Sequence, residues 1–290
     1  TAAQLAYVVS TDLPDGKYFK LNNDIVINDT SVADWKATAK NWVWGDIRFT
    51  GTFDGDGYTI EGLYFSGSQK RMGLFSYVGE KNGVACTIKN FKLKGAYINH
   101  TGTVEGASFV AGQTSGATTF ECIYIDQDCV LNAPNVTGVG GISGRGNTNG
   151  NKAGAVINNC AVLGSITGKS AVGAFTGTYW AADASVNING SFTTANYPLS
   201  GNKVLTNSEN NYGPISYEGG TAVITADQIK GEAAKTKMPL LDFENVWQTV
   251  ENGFPVLKIT VKAPAVQAWD GTKASALEGT GTDTDPYLIK

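Results

Sequence analysis

Two carboxylates separated by one glycine have the clearest spacing for chemistry. Asp54 and Asp56 lie in Asp54-Gly55-Asp56-Gly57 and could bind a cation, but the segment lacks the further oxygen ligands of an EF-hand loop. We interpret it as a turn, with positive φ at Gly55 and Gly57 and with Asp54 bonded to its own backbone. Asp54 and Asp56 are therefore minor candidates for a metal site, and we expect neither a resident metal nor a cofactor.

Acid–base catalysis has few residues available. His100 is the one histidine, and within Asn-His-Thr we expect it to be a loop residue rather than a base. Pectin-cleaving hydrolases need clustered Asp with Gly-His-Gly and Arg-x-Lys elements, which this sequence lacks. Lyases need a basic residue to remove the proton beside a uronate carboxylate, yet arginine occurs only at Arg48, Arg71 and Arg145. We predict no catalytic residue and no enzyme activity.

Paired aromatic residues are better candidates for binding. Trp42 and Trp44 flank Val43 and should point the same way along a strand. Tyr179 and Trp180 follow the last clear Gly-x-Phe-x-Gly segment. Rings that combine an apolar face with a polar group can stack on sugars, so Trp42, Trp44, Tyr179 and Trp180 are the predicted ligand contacts. The alternative is that they seal the end and flank of a hydrophobic core.

Composition excludes several classes of protein. Among 290 residues, 22 Lys and Arg face 26 Asp and Glu, and no basic cluster suggests a nucleic-acid partner. No apolar run reaches the roughly 18 residues of a membrane span, so we expect no membrane insertion in this segment. A hydrophobic content of 42% is too high for a disordered chain.

The elements that would position the candidate residues are short strands. Val, Ile, Thr, Tyr and Phe alternate with polar residues, and Gly or Asn interrupts the pattern every few positions. The predicted strands include residues 17–21, 24–27, 47–53, 59–65, 87–98, 120–131, 156–166 and 185–192.

These strands belong to a repeated unit. Copies registered on Phe91, Cys122 and Cys160 are 31 and 38 residues apart. A second motif alternates with the first, and its copies begin at Met72-Gly73, Val139-Gly140 and Val172-Gly173. A unit of this length cannot bury its apolar face alone and must stack on its neighbours.

Stacking in register predicts an all-β fold, a parallel β-helix whose coils lie about 4.8 Å apart. The predicted inward stacks are Phe91, Cys122 and Cys160 in one column and Leu93, Tyr124 and Val162 in another. Glycines at corners would supply positive φ. The alternative fold is an antiparallel β-sandwich, which would require Asn-Gly hairpins between alternating runs.

Two segments predict short helices that cap the solenoid. Thr1 and Gln4 form a capping box ahead of an apolar stripe, and Thr225 and Gln228 repeat the pattern. We therefore expect capping helices near residues 1–10 and 225–236, with the Trp247 segment helping to cover the last coil. Residues 1–262 are the predicted β-helix domain, and residues 263–290 are a predicted linker plus the start of a following module or an exchanged strand.

Several of these motifs together resemble a known family. Gly51-Thr-Phe-Asp-Gly-Asp-Gly57, Gly73-Leu-Phe75 and Phe243-Glu-Asn-Val-Trp247 resemble bacterial surface proteins with GLUG-type repeats. The resemblance covers roughly residues 1–260 and implies a right-handed parallel β-helix on a secreted or cell-surface bacterial protein. Related repeats occur in non-catalytic regions of immunoglobulin A proteases.

The tail and the cysteines leave alternatives open. Pro286-Tyr-Leu-Ile-Lys290, read circularly, runs into Thr1-Ala-Ala-Gln-Leu5, so the tail either packs on its own chain or completes a neighbouring copy of the module. Cys122 and Cys160 would lie on adjacent coils, close enough for a disulfide. The alternative, which we favour for most of the four, is buried free thiols at Cys86, Cys122, Cys129 and Cys160.

Taken together, the sequence favours a non-catalytic β-helix module that acts as an adhesin or a structural stalk. Its expected partners are a glycan or a host or cell-surface protein, together with neighbouring copies of the same module. The alternative function is a carbohydrate-active enzyme, a polysaccharide lyase or hydrolase, on a β-helix scaffold.

Overall fold

The chain folds as a parallel β-helix, which confirms the predicted fold class. The computed structural model describes residues 1–147, 154–179, 185–202, 205, 207–216, 221–258 and 267–290. Each coil contributes a strand to up to three sheets, and equivalent strands of successive coils pair in parallel. One antiparallel hairpin lies outside this pattern.

The strands are short, as the sequence predicts. In chain order they are β1 (Lys17–Leu21), β2 (Ile25–Val26), β3 (Gly51–Asp54), β4 (Thr59–Glu61), β5 (Tyr64–Gly67), β6 (Phe75–Gly79), β7 (Cys86–Lys94), β8 (Tyr97–His100), β9 (Ala111–Ser115), β10 (Thr118–Ile125), β11 (Val130–Gly140), β12 (Ser143–Asn147), β13 (Ala155–Asn158), β14 (Ala161–Val162), β15 (Ser165–Gly173), β16 (Thr176–Tyr179), β17 (Val186–Asn189), β18 (Phe192–Thr193), β19 (Asn211–Gly213), β20 (Thr221–Val223), β21 (Trp247–Val250), β22 (Gly253–Leu257) and β23 (Tyr287–Ile289).

Three parallel sheets enclose the core. Sheet A runs from β20 through β19, β18, β14, β10, β7, β3 and β1 to β23, with β2, β4, β13 and β17 paired beside that path. Sheet B contains β6, β9, β12 and β16, and sheet C contains β5, β8, β11 and β15. Inward side chains such as Phe53, Ile88 and Phe120 are fully buried and stack on one another across sheet A.

Helix α1 (Ala2–Ser10) confirms the first predicted cap. Thr1 and Gln4 form the capping box, and Leu5, Ala6 and Val8 are fully buried against the core. The predicted second cap is divided into a 3₁₀ turn at Ala226–Ile229 and helix α2 at Ala233–Lys237.

Among the described residues, no helix is both long and apolar enough to span a bilayer.

The second cap lies along the flank of the solenoid. Ile229, Met238 and Trp247 are buried against outward-facing residues of sheet A that include Tyr124 and Phe192. Phe192 and Trp247 meet edge to face with ring centroids 5.0 Å apart. The segment that contains α2, β21 and β22 therefore covers the outer face of sheet A over several coils. The sequence had predicted that this segment covers only the last coil.

The predicted column of Phe91, Cys122 and Cys160 is wrong by one residue. Phe91 pairs with Ile123, and Leu93 pairs with Ile125, which in turn pairs with Val162. Cys122 instead has φ of 51°, in a corner position shared along sheet A. The residues of this left-handed column are Asn90, Cys122, Asn159, Gly190 and Asn210, with φ between 51° and 60°. Asn and Gly favour this conformation, and Cys does not. The residue type of Cys122 therefore gives no sign of the corner position, and the predicted register is shifted by one residue there.

A second column explains the repeated glycines of sheet B. Its members are Gly112, Gly144, Gly177 and Gly201. A Cβ atom added at any of the four would lie under 3.0 Å from the main chain of a neighbouring segment. Glycine is needed at these four positions because the main chains of neighbouring segments are in contact there. The sequence had suggested instead that the repeated glycines lie at corners and supply positive φ. We call these four residues the glycine column.

The four cysteines are free thiols in the structure. Cys86, Cys129 and Cys160 are buried, and Cys122 is partly exposed. Burial raises the pKa of the Cys86 thiol to about 12.

Candidate functional site

The outer face of sheet C carries a group of partly exposed polar and aromatic side chains. Successive residues of a strand point to opposite faces, so Phe65, Ile98 and Leu131 are buried in the core. Their neighbours along β5, β8 and β11 are partly exposed and stack in register. We call the exposed group the tyrosine–amide face, and its residues are Trp35, Tyr64, Ser66, Tyr97, Asn99 and Asn132.

Tyr64 and Tyr97 form the aromatic part of this face. They are register partners, and their rings stack with centroids 5.7 Å apart and an interplanar angle of 18°. Trp35, in the 3₁₀ turn Trp35–Ala37, meets Tyr64 edge-on at 6.0 Å. Lys36 Nζ lies 4.3 Å from the centroid of the Tyr97 ring. The two tyrosines cover part of each other's ring faces, so the apolar contact surface includes ring edges and the partly exposed Trp35 indole.

A row of hydrogen-bonded polar side chains lies two residues further along the same strands. Asn132 Nδ2 donates to Asn99 Oδ1 at 2.9 Å, and Asn99 Nδ2 donates to Ser66 Oγ at 3.2 Å. The backbone N–H of Ser66 donates to Asn41 Oδ1 at 2.7 Å. Each amide has two donor hydrogens and an acceptor oxygen, so this chain of bonds orients the side chains without using all their capacity.

The arrangement suits a ligand with many hydroxyl groups. Sugar hydroxyls donate and accept hydrogen bonds, as primary amides do, and their C–H faces pack on aromatic surface. The side chains are held by one another and by the stacked strands, so little conformational entropy remains to be lost on binding.

Asp54 is occupied by structural contacts. Tyr18 Oη donates to its carboxylate at 2.6 Å, and Asn90 Nδ2 donates at 3.0 Å. In the outward row of sheet A, Asp54 pairs in register with Lys20 on one side and with Lys89 on the other. Burial raises its pKa, but these hydrogen bonds and the Lys89 charge outweigh burial and lower the pKa overall.

The predicted turn forms around Asp54, although with a different distribution of φ. The N–H of Asp56 donates to Asp54 Oδ1 at 2.9 Å, and positive φ falls on Asp56 and Gly57. Gly55 does not have positive φ, and a Cβ there would come under 3.0 Å from Phe91 and Asn90. Asp56 forms an ion pair with Lys20 at 3.2 Å. Within the described part of the chain, no three His, Cys, Asp or Glu side chains are grouped to hold a metal ion.

The aromatic residues singled out from the sequence are mostly taken up by the core: Trp42 is next to the tyrosine–amide face in the backbone, where its N–H donates to the Tyr64 carbonyl, but its side chain is buried. Trp42 is 2% exposed, donates its indole N–H to the Leu74 carbonyl at 3.0 Å and meets Trp269 edge-on. Trp44 is half-buried and donates to the Lys70 carbonyl at 2.8 Å. Tyr179 is 2% exposed, and Trp180 lies outside the described residues. The structure therefore does not present Trp42, Trp44 and Tyr179 as one exposed surface.

His100 ends strand β8 and is buried, whereas the sequence suggested a loop. Its side chain is fully enclosed, and Nδ1 accepts a hydrogen bond from the N–H of Gly102 at 3.1 Å. Burial lowers the pKa of the imidazole.

Sequence reasoning missed the tyrosine–amide face, although a signal was present. Tyr64-Phe65-Ser66 and Tyr97-Ile98-Asn99 share an aromatic–apolar–polar pattern and are exact register partners. Registering the repeat on this pattern would have aligned Asn99 with Asn132 as well. The paired tryptophans are the more conspicuous signal in the sequence, but Trp42 is buried in the core.

Comparisons with known proteins establish neither a family nor an activity for this chain. No protein-family model matches the chain, and no curated protein matches it. A crystal structure from Bacteroides ovatus, whose name reads "putative immunoglobulin A1 protease", matches with a TM-score of 0.46 and 16% sequence identity. The match covers 86% of this chain and 88% of that one. A likeness this distant carries no argument, so the parallel β-helix rests on the strand pairing described above.

Proposed function

We propose that this chain is a non-catalytic β-helix module that binds a glycan through the tyrosine–amide face. One observation carries the proposal: the Ser66, Asn99 and Asn132 side chains form a hydrogen-bonded row beside partly exposed aromatic rings on a rigid parallel sheet. The repeated spacing of the row, about 4.8 Å from coil to coil, suits an extended chain of sugars better than a single small molecule.

Positions of the ionisable residues support the absence of catalysis in this proposal. The His100 imidazole is enclosed in the interior, and the Asp54 carboxylate is held by Tyr18, Asn90 and Lys89. A general acid or base must reach the reacting atoms of its substrate, and these two groups already serve the fold. The proposed setting is a secreted or cell-surface bacterial protein of the GLUG-repeat type, acting as an adhesin or stalk, and it is supported by the motifs at residues 51–57 and 243–247.

The experiment is a glycan array of host and microbial sugars, followed by calorimetric titration of the best binder. We expect Tyr97→Ala and Asn99→Ala each to weaken binding about tenfold, a loss of about 1.4 kcal/mol. Tyr97→Phe keeps the ring and its stacking on Tyr64 and is the matched control, with an expected change of less than threefold. Thermal unfolding of each variant shows whether the fold is kept.

Two results would contradict the proposal. Binding that survives Tyr97→Ala and Asn99→Ala unchanged would place the glycan elsewhere, and an array without any binder would remove glycan recognition. Release of reducing ends from a bound polysaccharide would instead support the alternative, a carbohydrate-active enzyme.

A further inference from the structure

The C-terminal tail of the chain completes the N-terminal end of the solenoid. Strand β23 pairs in parallel with β1, and the register joins Phe19 to Tyr287 and Leu21 to Ile289. Ile289 is fully buried, and the rings of Phe19 and Tyr287 lie 5.4 Å apart. The tail strand therefore occupies a slot beside β1 that would otherwise leave an open sheet edge.

The tail is held by the first part of the chain. The N–H of Trp269 donates to the Val26 carbonyl at 2.9 Å, and the N–H of Ala274 donates to the Ala3 carbonyl at 3.0 Å. The N–H of Tyr18 donates to the Gly281 carbonyl at 3.0 Å. Within the described residues, the hydrogen bonds and ring contacts between residues 267–290 and the body all involve residues 3–42. The tail belongs, by contact, to the beginning of the solenoid.

The first and last residues meet at one side chain. Gln4 Oε1 accepts hydrogen bonds from the backbone N of Lys290 at 3.0 Å and from the N of Thr1 at 2.8 Å. Lys290 and Thr1 are therefore close enough for a short peptide connection to join them. A tail strand linked to the body through Thr1 would fill the slot as well as one linked through the preceding part of the chain. A strand supplied by a second molecule would make the same contacts.

We propose that the slot beside β1 is a strand-accepting site whose partner is a second copy of this chain. In the exchanged form, residues 267–290 of one copy bind residues 3–42 of the next, and the contacts stay the same while the donor changes. This exchange is head-to-tail, so it produces closed rings or open chains of molecules. At low protein concentration the tethered tail fills its own slot, because its effective concentration exceeds that of tails on other molecules.

The experiment traps β23 against β1 in the full chain. Lys20 and Leu288 are register partners, so the double variant Lys20→Cys, Leu288→Cys, made together with Cys122→Ser to remove the partly exposed native thiol, should form a disulfide across the slot. After brief warming at high protein concentration, cooling and oxidation, a non-reducing gel should show dimers and higher multimers. The same treatment of a dilute sample should give crosslinked monomer only.

A matched control lies two strand pairs further along sheet A, between β3 and β7. Thr52 and Thr87 are register partners within the body, so Thr52→Cys, Thr87→Cys should crosslink within one chain at every concentration. A circular permutant that begins at residue 259 and joins Lys290 to Thr1 should fold with nearly unchanged Tm and stay monomeric, because the Lys290–Thr1 bond holds the tail directly beside its own slot.

Two outcomes would overturn the proposal. If Lys20→Cys, Leu288→Cys crosslinks only within single chains at high concentration after warming, the tail does not exchange. If the permutant forms the same multimers as the natural chain order, the association does not depend on the tail.

Discussion

Substituting one residue of the glycine column tests the close packing of sheet B. In Gly177→Ala, the new Cβ would lie under 3.0 Å from the Gly144 carbonyl oxygen and the Val139 backbone nitrogen. Both are main-chain atoms fixed by strand pairing, so neither can rotate away as a flexible side chain would. The substitution must therefore push two layers of the solenoid apart.

The expected cost follows from comparison with an open glycine. Overpacking a well-packed interior costs about 1–3 kcal/mol, and we expect Gly177→Ala at the upper end, about 3 kcal/mol, because both neighbours are backbone. Gly83 has φ of 79° and nothing within 4 Å of an added Cβ. Gly83→Ala should therefore cost only the conformational penalty of about 1 kcal/mol.

The assay is urea and thermal unfolding of both variants beside the parent, followed by circular dichroism. The difference of about 2 kcal/mol corresponds to a Tm about 4 °C lower for Gly177→Ala than for Gly83→Ala. Equal stability of the two variants would refute the reasoning, because it would mean that sheet B tolerates a methyl group between its layers.

Three further predictions follow from corners, thiols and charges. Cys122→Asn should raise the free energy of unfolding by about 0.5–1 kcal/mol, because Asn tolerates φ near 51° better than Cys does, whereas Cys122→Ser should give no gain in the same urea titration. Thiol titration should find four reactive groups in the unfolded chain, while in the folded chain Cys122 should react first, because it alone among the four is partly exposed. The pKa of Asp54 is lowered in the folded state, so its contribution to stability is present above the ordinary aspartate pKa of about 3.9 and is lost as the pH falls through the lower folded value. The difference in free energy of unfolding between the parent and Asp54→Asn should accordingly be larger at pH 6 than at pH 2. An equal difference at both pH values would contradict the conclusion that the charged Asp54 carboxylate stabilises the fold through Lys89 and its hydrogen bonds.

The fold class could be predicted because coils that stack in register need the same apolar pattern, and that pattern therefore recurs along the sequence. Phe53, Ile88 and Phe120 show that pattern plainly, and the Thr1 capping box is a local signal that tertiary contacts do not override. The predicted register failed at Cys122, where the residue type does not reveal the corner conformation.

The candidate site was harder to predict for a physical reason. Whether an aromatic ring faces solvent depends on which neighbouring segment covers it, and neighbours in a solenoid come from the coils above and below. Trp42 is covered by Trp269, more than two hundred residues away in the sequence, while Tyr97 is left partly open. Local sequence patterns carry no information about which distant segment packs over a given ring.

The meeting of residues 1 and 290 at Gln4 determines how the module would carry mechanical force. A load applied between the two ends acts on helix α1 and on the pairing of β23 with β1. It does not stretch the solenoid axis, so the coils behind β1 bear none of it. The tyrosine–amide face lies on β5, β8 and β11, outside this load path. A tether pulled at both ends would therefore yield first at the tail strand, while the binding face keeps its shape.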